Sequence, residues 1–260
     1  MARKSSGKKS DGIGEFVKTI VYALLIALVF RIFLFQPFSI PSSSMKSTLL
    51  IGDYLFVSKY AYGYSKHSIP FSPDIFEGRI WFTPPERGDV IVFKNRNDEN
   101  KDYIKRLIGL PGDKIQVNEG LVSINGEPVT VKEIEPFIEP LEGGTGRGQQ
   151  CMERIQRDGE TLCVKERFLE ILPNGVEHAI LNADLNRSGT DNTDVFEVPE
   201  AHYFFMGDNR DNSGDSRSYK VGFVPEEALI GRAEVIFLSS SGNPFQFWKW
   251  RLDRFFDLID

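Results

Sequence analysis

One stretch limits every architecture open to this chain: FVKTIVYALLIALVFRIFLF, residues 16–35. A helix of that length rises about 30 Å, the thickness of a bilayer core, and suits a bilayer because its backbone polar groups are satisfied internally. A single transmembrane anchor is therefore expected. Arg31 lies near its far end, where a long side chain snorkels to the headgroups. Arg3, Lys4, Lys8 and Lys9 precede the span and Lys18 sits just inside it. By the positive-inside rule, residues 1–15 form a cytoplasmic basic tail and the chain beyond residue 35 lies on the outer face. The competing reading is a cleaved secretory leader, since Ser42 and Ser44 make a small-x-small pattern. The apolar run is longer than a usual leader core, and Pro37 and Pro41 crowd that site, which favours an uncleaved anchor.

The remaining chain reads as all-β and mainly antiparallel. Short β-branched or aromatic runs at 53–60, 89–94, 103–110, 113–117 and 233–238 are bounded by Gly, Pro, Asn and Asp. Asn125-Gly126 between extended runs is a hairpin signal. Residues 118–200 differ in texture, with EGGTGRGQQ at 142–150 and LNRSGTDNTD at 185–194. They are expected to form a smaller, loop-rich insertion in a catalytic domain built from 36–117 and 201–242. The insertion holds both cysteines, Cys151 and Cys163. In an oxidising compartment they would form one disulfide, expected to be remote from any cleft; otherwise they are two free thiols. Residues 243–260, rich in aromatic and basic side chains, are an aromatic tail that either lies on the membrane interface or packs as a helix on the core.

The formal charge of −6 argues against nucleic acid as a partner, since phosphate binders carry a basic excess. The two cysteines with His67, His178 and His202 show no metal-ligand spacing, so neither a metal nor a cofactor is expected. The chemistry then turns on PSSSMKS, residues 41–47, where three serines follow a proline. A serine hydroxyl needs an adjacent base. No G-x-S-x-G is present, and no histidine sits in a turn-rich motif, so a Ser-His-Asp triad lacks support. Ser43 to Lys46 matches S-x-x-K, but S-D-N and K-T-G are absent and the proline argues against a buried helix, so the match is a decoy. A lysine elsewhere is the remaining base. DYIKRLIGLPGDK, residues 102–114, sets Lys105 and Arg106 inside an apolar strand, where one of the two is expected to point inward. GDNRDNSGDSRSY, residues 207–219, is a polar loop directly after the apolar run HYFFM, a common place for site residues.

In order and spacing, IPSSSMKSTLLIGDYLFVSKYAYG, RGDVIVF, DYIKRLIGLPGDK and GDNRDNSGDSR resemble the motif boxes of bacterial type I signal peptidases, also called leader peptidases. The resemblance covers the chain from about residue 35 to 238, apart from the insertion. It implies a Ser-Lys endopeptidase, anchored in the cytoplasmic membrane with its catalytic domain on the outer, periplasmic face, whose partners are signal peptides of secreted preproteins and membrane lipid. Carried over by position, it implies Ser44 as nucleophile and Lys105 as general base. Ser42 would join the Ser44 backbone N–H in the oxyanion hole, Ser213 would orient the lysine, and Asp208, Asp215 and Arg217 would support the loop. Phe38, Ile40, Met45, Leu49, Tyr103 and Ile104 would line pockets for small residues at A-x-A-like sites. Lys46-Ser47 departs from the family, which usually has a residue and then proline. The rival reading is an anchored extracytoplasmic β-domain that binds peptides without cutting them.

Overall fold

The apolar run folds as α1 (Asp11–Phe33) in a computed structural model that describes residues 11–70, 72–74, 76–95, 98–141, 151–182 and 189–259. Arg3, Lys4, Lys8 and Lys9, the stretch 142–150 and residues 185–188 of the second polar stretch lie outside the described residues. Within α1, Gly12–Phe33 is a helix of 22 residues, long and apolar enough to cross a bilayer, and its apolar window is uncovered by protein. The helix stops two residues short of the expected boundary. Leu34 N–H closes the last turn on Phe30 O (2.9 Å), and Pro37 disfavours helical backbone before it. Phe35 then packs on Phe30, Phe56 and Tyr60, so the chain passes almost directly from helix into sheet.

The strands that follow, in chain order, are β1 (Phe35–Ser39), β2 (Asp53–Ser58), β3 (Val90–Asn95), β4 (Asp98–Gly109), β5 (Lys114–Asn118), β6 (Leu121–Ile124), β7 (Glu127–Pro128) and β8 (Thr130–Pro140). Then come β9 (Glu153–Arg157), β10 (Glu160–Ile171), β11 (Glu177–Asn182), β12 (Phe196–Glu197), β13 (His202–Met206), β14 (Val224–Pro225) and β15 (Leu229–Ser239). The main sheet runs β1-β2-β15-β3-β4-β13-β14, and its named pairs are antiparallel. The architecture is therefore the all-β, mainly antiparallel one expected, preceded by one apolar helix. The strand β1 sits at the edge of this sheet.

Alternation along β3 explains how the sheet is buried. Val90 and Val92 join a core cluster with Met45, Leu49, Leu55 and Val57. Ile91 and Phe93 join a second cluster with Leu107, Phe205 and Leu229. A strand covered on both faces hides every side chain, and β4 is its neighbour. Both Lys105 and Arg106 are accordingly buried, rather than one of the two.

The order β12-β5-β6-β7 makes a second sheet, docked through Ile108, Ile115, Val122, Phe204 and Met206. Asn125 (φ 55°) and Gly126 (φ 87°) form the tight turn between β6 and β7 that their left-handed backbone preference implies. A third sheet has the order β11-β10-β8, with β9 on β10. Strands, several of them long, thus fill much of 118–200, so the smaller insertion is β-rich. β8 alternates mostly between exposed and half-buried positions, so it never presents the apolar run by which a strand is recognised. Cys151 and Cys163 are joined in a disulfide that staples the start of β9 to β10.

Candidate active site

Residues 42–48 leave β1 as a tight turn. Lys46 N–H bonds Ser43 O (3.0 Å) and Leu49 N–H bonds Met45 O (2.8 Å), so Met45 and Leu49 share the inner side of one helical turn. Both are fully buried in the core. Ser44, on the same turn, is buried beside Lys105, and Lys105 Nζ lies 2.5 Å from Ser44 Oγ. The Ser42 hydroxyl is 3.4 Å from Ser44 Oγ. The Ser44 N–H makes no hydrogen bond among the described residues, which leaves it available to an incoming oxyanion.

Lys105 is held on the other side by Ile104 O (2.9 Å) and lies near the Tyr103 ring. Burial pushes its ammonium down to about 8, against the opposing pull of Asp215 and Asp208. Its neighbour Arg106 turns the opposite way, as successive strand residues do. There it makes two hydrogen bonds to Asp208, Nε to Oδ1 (3.0 Å) and Nη2 to Oδ2 (2.9 Å). Thr48 Oγ1 donates to the same carboxylate (2.5 Å), tying the turn at 42–48 to this pair. Burial alone would raise the Asp208 carboxyl, but the Arg106 guanidinium holds it below the usual range.

The loop 207–217 grips the turn from outside. Asn209 N–H donates to Ser44 O (3.0 Å), its side-chain amide to Ser43 O (2.9 Å), and Asn212 Nδ2 to Ser43 Oγ (2.6 Å). Asp215 accepts from Gly207 N–H (3.1 Å) and from Arg217 Nε and Nη2 (2.9 Å each). Burial opposes charge on Asp215, and Arg217 outweighs it, keeping the carboxyl ionised. Gly207 has no room for a side chain: a Cβ there would sit 2.5 Å from Ser44 O. Ser213 does not reach Lys105. Its hydroxyl lies beside Gly207 and the Asp215 carboxylate, whose charge it helps to hold.

A cavity of about 800 Å³ opens onto this centre, lined by the β1 edge, Ser42 to Ser44 and residues 101–105. Phe38, Ile40, Tyr103 and Ile104 are on its wall as expected. Met45 and Leu49 are not; the turn points both into the core, so the expectation is corrected for these two. Ser44 makes no hydrogen bond to a histidine, and His178 is instead paired with Glu170 (3.2 Å). Sequence reasoning missed Asn209, Asn212, Thr48 and the lysine-bearing turn's link to the insertion. Lys46 Nζ meets Glu139 of β8 at 2.7 Å, and Glu139 pairs across the ladder with Cys163. Neither cysteine lines the cleft, and the disulfide is linked to the turn through Glu139 and Lys46.

Comparison with known sequences agrees with this geometry. A sequence model described as "Signal peptidase, peptidase S26" matches residues 13–238. A signal peptidase I of Rickettsia typhi is 40% identical over 244 residues, covering 91% of this chain and 84% of that protein. One from Rickettsia felis is 42% identical over 229 residues, covering 85% and 78%. A crystal structure of a signal peptidase I from Enterococcus faecalis covers 58% of this chain and 97% of its own, with 23% identity and a TM-score of 0.31. With the family match spanning anchor, turn, lysine strand and polar loop alike, this chain belongs to the signal peptidase family, peptidase S26.

Proposed function

We propose that this chain is a Ser-Lys endopeptidase that removes N-terminal signal peptides from exported preproteins after small residues. Family membership supports signal-peptide removal by a serine peptidase. The observation that carries the catalytic assignment is the 2.5 Å contact between Lys105 Nζ and Ser44 Oγ, both buried at the head of a cleft.

In this reading neutral Lys105 accepts the Ser44 hydroxyl proton as Oγ attacks the scissile carbonyl carbon. The Ser44 N–H and the Ser42 hydroxyl donate to the resulting oxyanion. As the C–N bond breaks, Lys105 gives its proton to the leaving amine, and an acyl-enzyme remains. Lys105 then takes a proton from water as the water oxygen attacks the acyl carbon, and returns it to Ser44 Oγ as the acyl C–O bond breaks. Asp208 with Arg106, and Asp215 with Arg217, hold the frame. The exposed edge of β1 offers backbone partners to an extended substrate, and Phe38, Ile40, Tyr103 and Ile104 limit the side chains that fit.

The apolar helix and the positive-inside rule support a cytoplasmic N-terminus and a cleft on the outer face of the cytoplasmic membrane. The stretch from residue 35 to Ser44, even fully extended, spans at most about 30 Å. The nucleophile thus works near the bilayer, where signal-peptide cleavage sites emerge. The decisive experiment incubates the detergent-solubilised chain with a preprotein and reads the new N-terminus by mass spectrometry. Cleavage after a small residue, lost with Ser44→Ala, is expected. Peptide binding without cleavage would favour the non-cutting β-domain.

A further inference from the structure

Lys46 and Ser47 stand where the resemblance implies a residue followed by proline. Ser47 has φ 97°, which proline, locked near −65°, cannot adopt, so this turn is not stiffened by a ring. It is fastened from outside instead. Lys46 is 5% exposed, and its Nζ meets Glu139 Oε2 at 2.7 Å. The other carboxylate oxygen of Glu139 lies 3.3 Å from Nζ of Lys165, itself 2% exposed. One carboxylate thus bridges two buried ammonium groups, one on the nucleophile turn and one on β10. Glu139 is held in register opposite Cys163, half of the disulfide.

The consequence for Ser44 follows from charge and geometry. Removing Glu139 takes away a carboxylate that both ammonium groups share while buried, and breaking such a buried pair is unfavourable. It also cuts this link between the turn that carries Lys46 and β10, which carries Lys165. Lys46 is two residues from Ser44, and its N–H closes the turn on Ser43 O. A shift of Lys46 therefore moves Ser44 relative to Lys105, where about 1 Å of misplacement costs on the order of 10²-fold in rate.

We propose that Glu139 is a positioning residue for Ser44, acting from the insertion through Lys46 and doing for this turn what a proline ring would otherwise do. The proposal rests on the Ser-Lys reading of the site. It also gives the insertion a part in the reaction, as a brace for the nucleophile.

The test compares the full chain in detergent with Glu139→Gln, Glu139→Asp, Lys46→Met and the Lys46→Met/Glu139→Gln double variant. Preprotein kinetics and thermal unfolding are measured on each. Glu139→Gln is expected to lower kcat by about 10- to 100-fold with KM nearly unchanged. Glu139→Asp should recover part of that loss. The double variant should be no slower than the worse single one, because the two side chains act as a unit. Glu197→Gln, which removes an exposed bridge to Lys114, should change neither kcat nor KM. Unchanged kcat in Glu139→Gln, independent effects that multiply in the double variant, or a loss accounted for by the folded fraction would each overturn the positioning role. Should Glu139→Gln not fold, coupling between Lys46→Met and Glu139→Asp decides the same question. A wild-type chain that does not cleave, or a Ser44→Ala variant that does, would instead sink the Ser-Lys reading and this proposal with it.

Discussion

Lys59 and Lys105 are both buried and both pushed down to about 8, mainly by desolvation. A low proton affinity therefore does not single out the base; position does. Lys59 donates to Ser68 O, whereas Lys105 meets a hydroxyl poised over a cleft. On the proposed Ser-Lys mechanism the neutral form of Lys105 is the active one, so kcat/KM should rise with pH to a plateau, with a midpoint near 8 rather than near 10.5. The limb should survive replacement of His67, His178 and His202; its loss with any one of them would mean a histidine base. The same shift acts on stability. Because the folded chain binds this proton less tightly than the unfolded one, stability rises with pH between about 8 and 10.5, the cost being fully present below about 8. Ser44→Ala and Lys105→Ala should each abolish cleavage, and the double variant should be no worse than either. At this scale, Lys105 and Arg106 stood out together because charged residues interrupt an apolar strand, and only the resemblance pointed to Lys105 and to Ser44 among three serines. Glu139 was not legible. It is one of many glutamates on a polar strand, and nothing local marks a contact made to Lys46, 93 residues away.

Among the elements, the turn at 42–48 and the loop 207–217 form one unit, joined by Asn209 and by the close approach of Gly207 to Ser44 O. Gly207→Ala should therefore cut kcat sharply, since its Cβ would sit 2.5 Å from backbone and something must shift. Near-normal turnover in that variant would mean the two segments are not coupled. In the main sheet β2, β3, β4, β13 and β15 were readable from their apolar runs, while β1 and the two-residue β14 were not, and the hairpin at Asn125-Gly126 was readable because its backbone needs left-handed φ. β8 and β9 were not, since their mostly solvated faces leave no periodic apolar signal. The stapled sheet nonetheless carries Glu139. Replacing Cys151 and Cys163 by serine should lower stability by about 3 kcal/mol, as for a loop of this order. The position of cleavage should stay the same and the rate should fall, read by unfolding and by mass spectrometry of the product. An unchanged rate would show that β8 holds Glu139 in place without the staple.

Across the whole molecule, two distant parts of the chain point aromatic side chains at solvent. Phe33 at the end of α1 meets Tyr64, and Tyr64 meets Trp81, which is 80% exposed. Aromatic side chains beside the end of an apolar helix suit the headgroup layer. The tail 243–260 was expected either to pack on the core or to lie on the interface, and its backbone and side chains divide those two tasks. Its backbone is strapped to the sheet, with Phe256 N–H on Ile236 O (2.7 Å) and Ile259 N–H on Glu234 O (3.0 Å). Its Phe245, Phe247, Trp248 and Phe256 face outward, beside Lys249 and Arg251. Aromatic and basic groups side by side suit the headgroup layer. Arg254 also bonds Thr48 O (3.0 Å), so a tail seated on lipid would seat the nucleophile turn with it. Single-tryptophan variants of the full chain, reconstituted in vesicles containing brominated lipid, separate the possibilities. Trp81 should be quenched in any case, because α1 brings it to the surface of the bilayer. Trp248 should be quenched as well, and Trp250, whose indole is tied to Pro244 O, less so. Quenching of Trp81 with none at Trp248 would mean that the tail stands clear of the membrane and that α1 alone sets the height of the cleft.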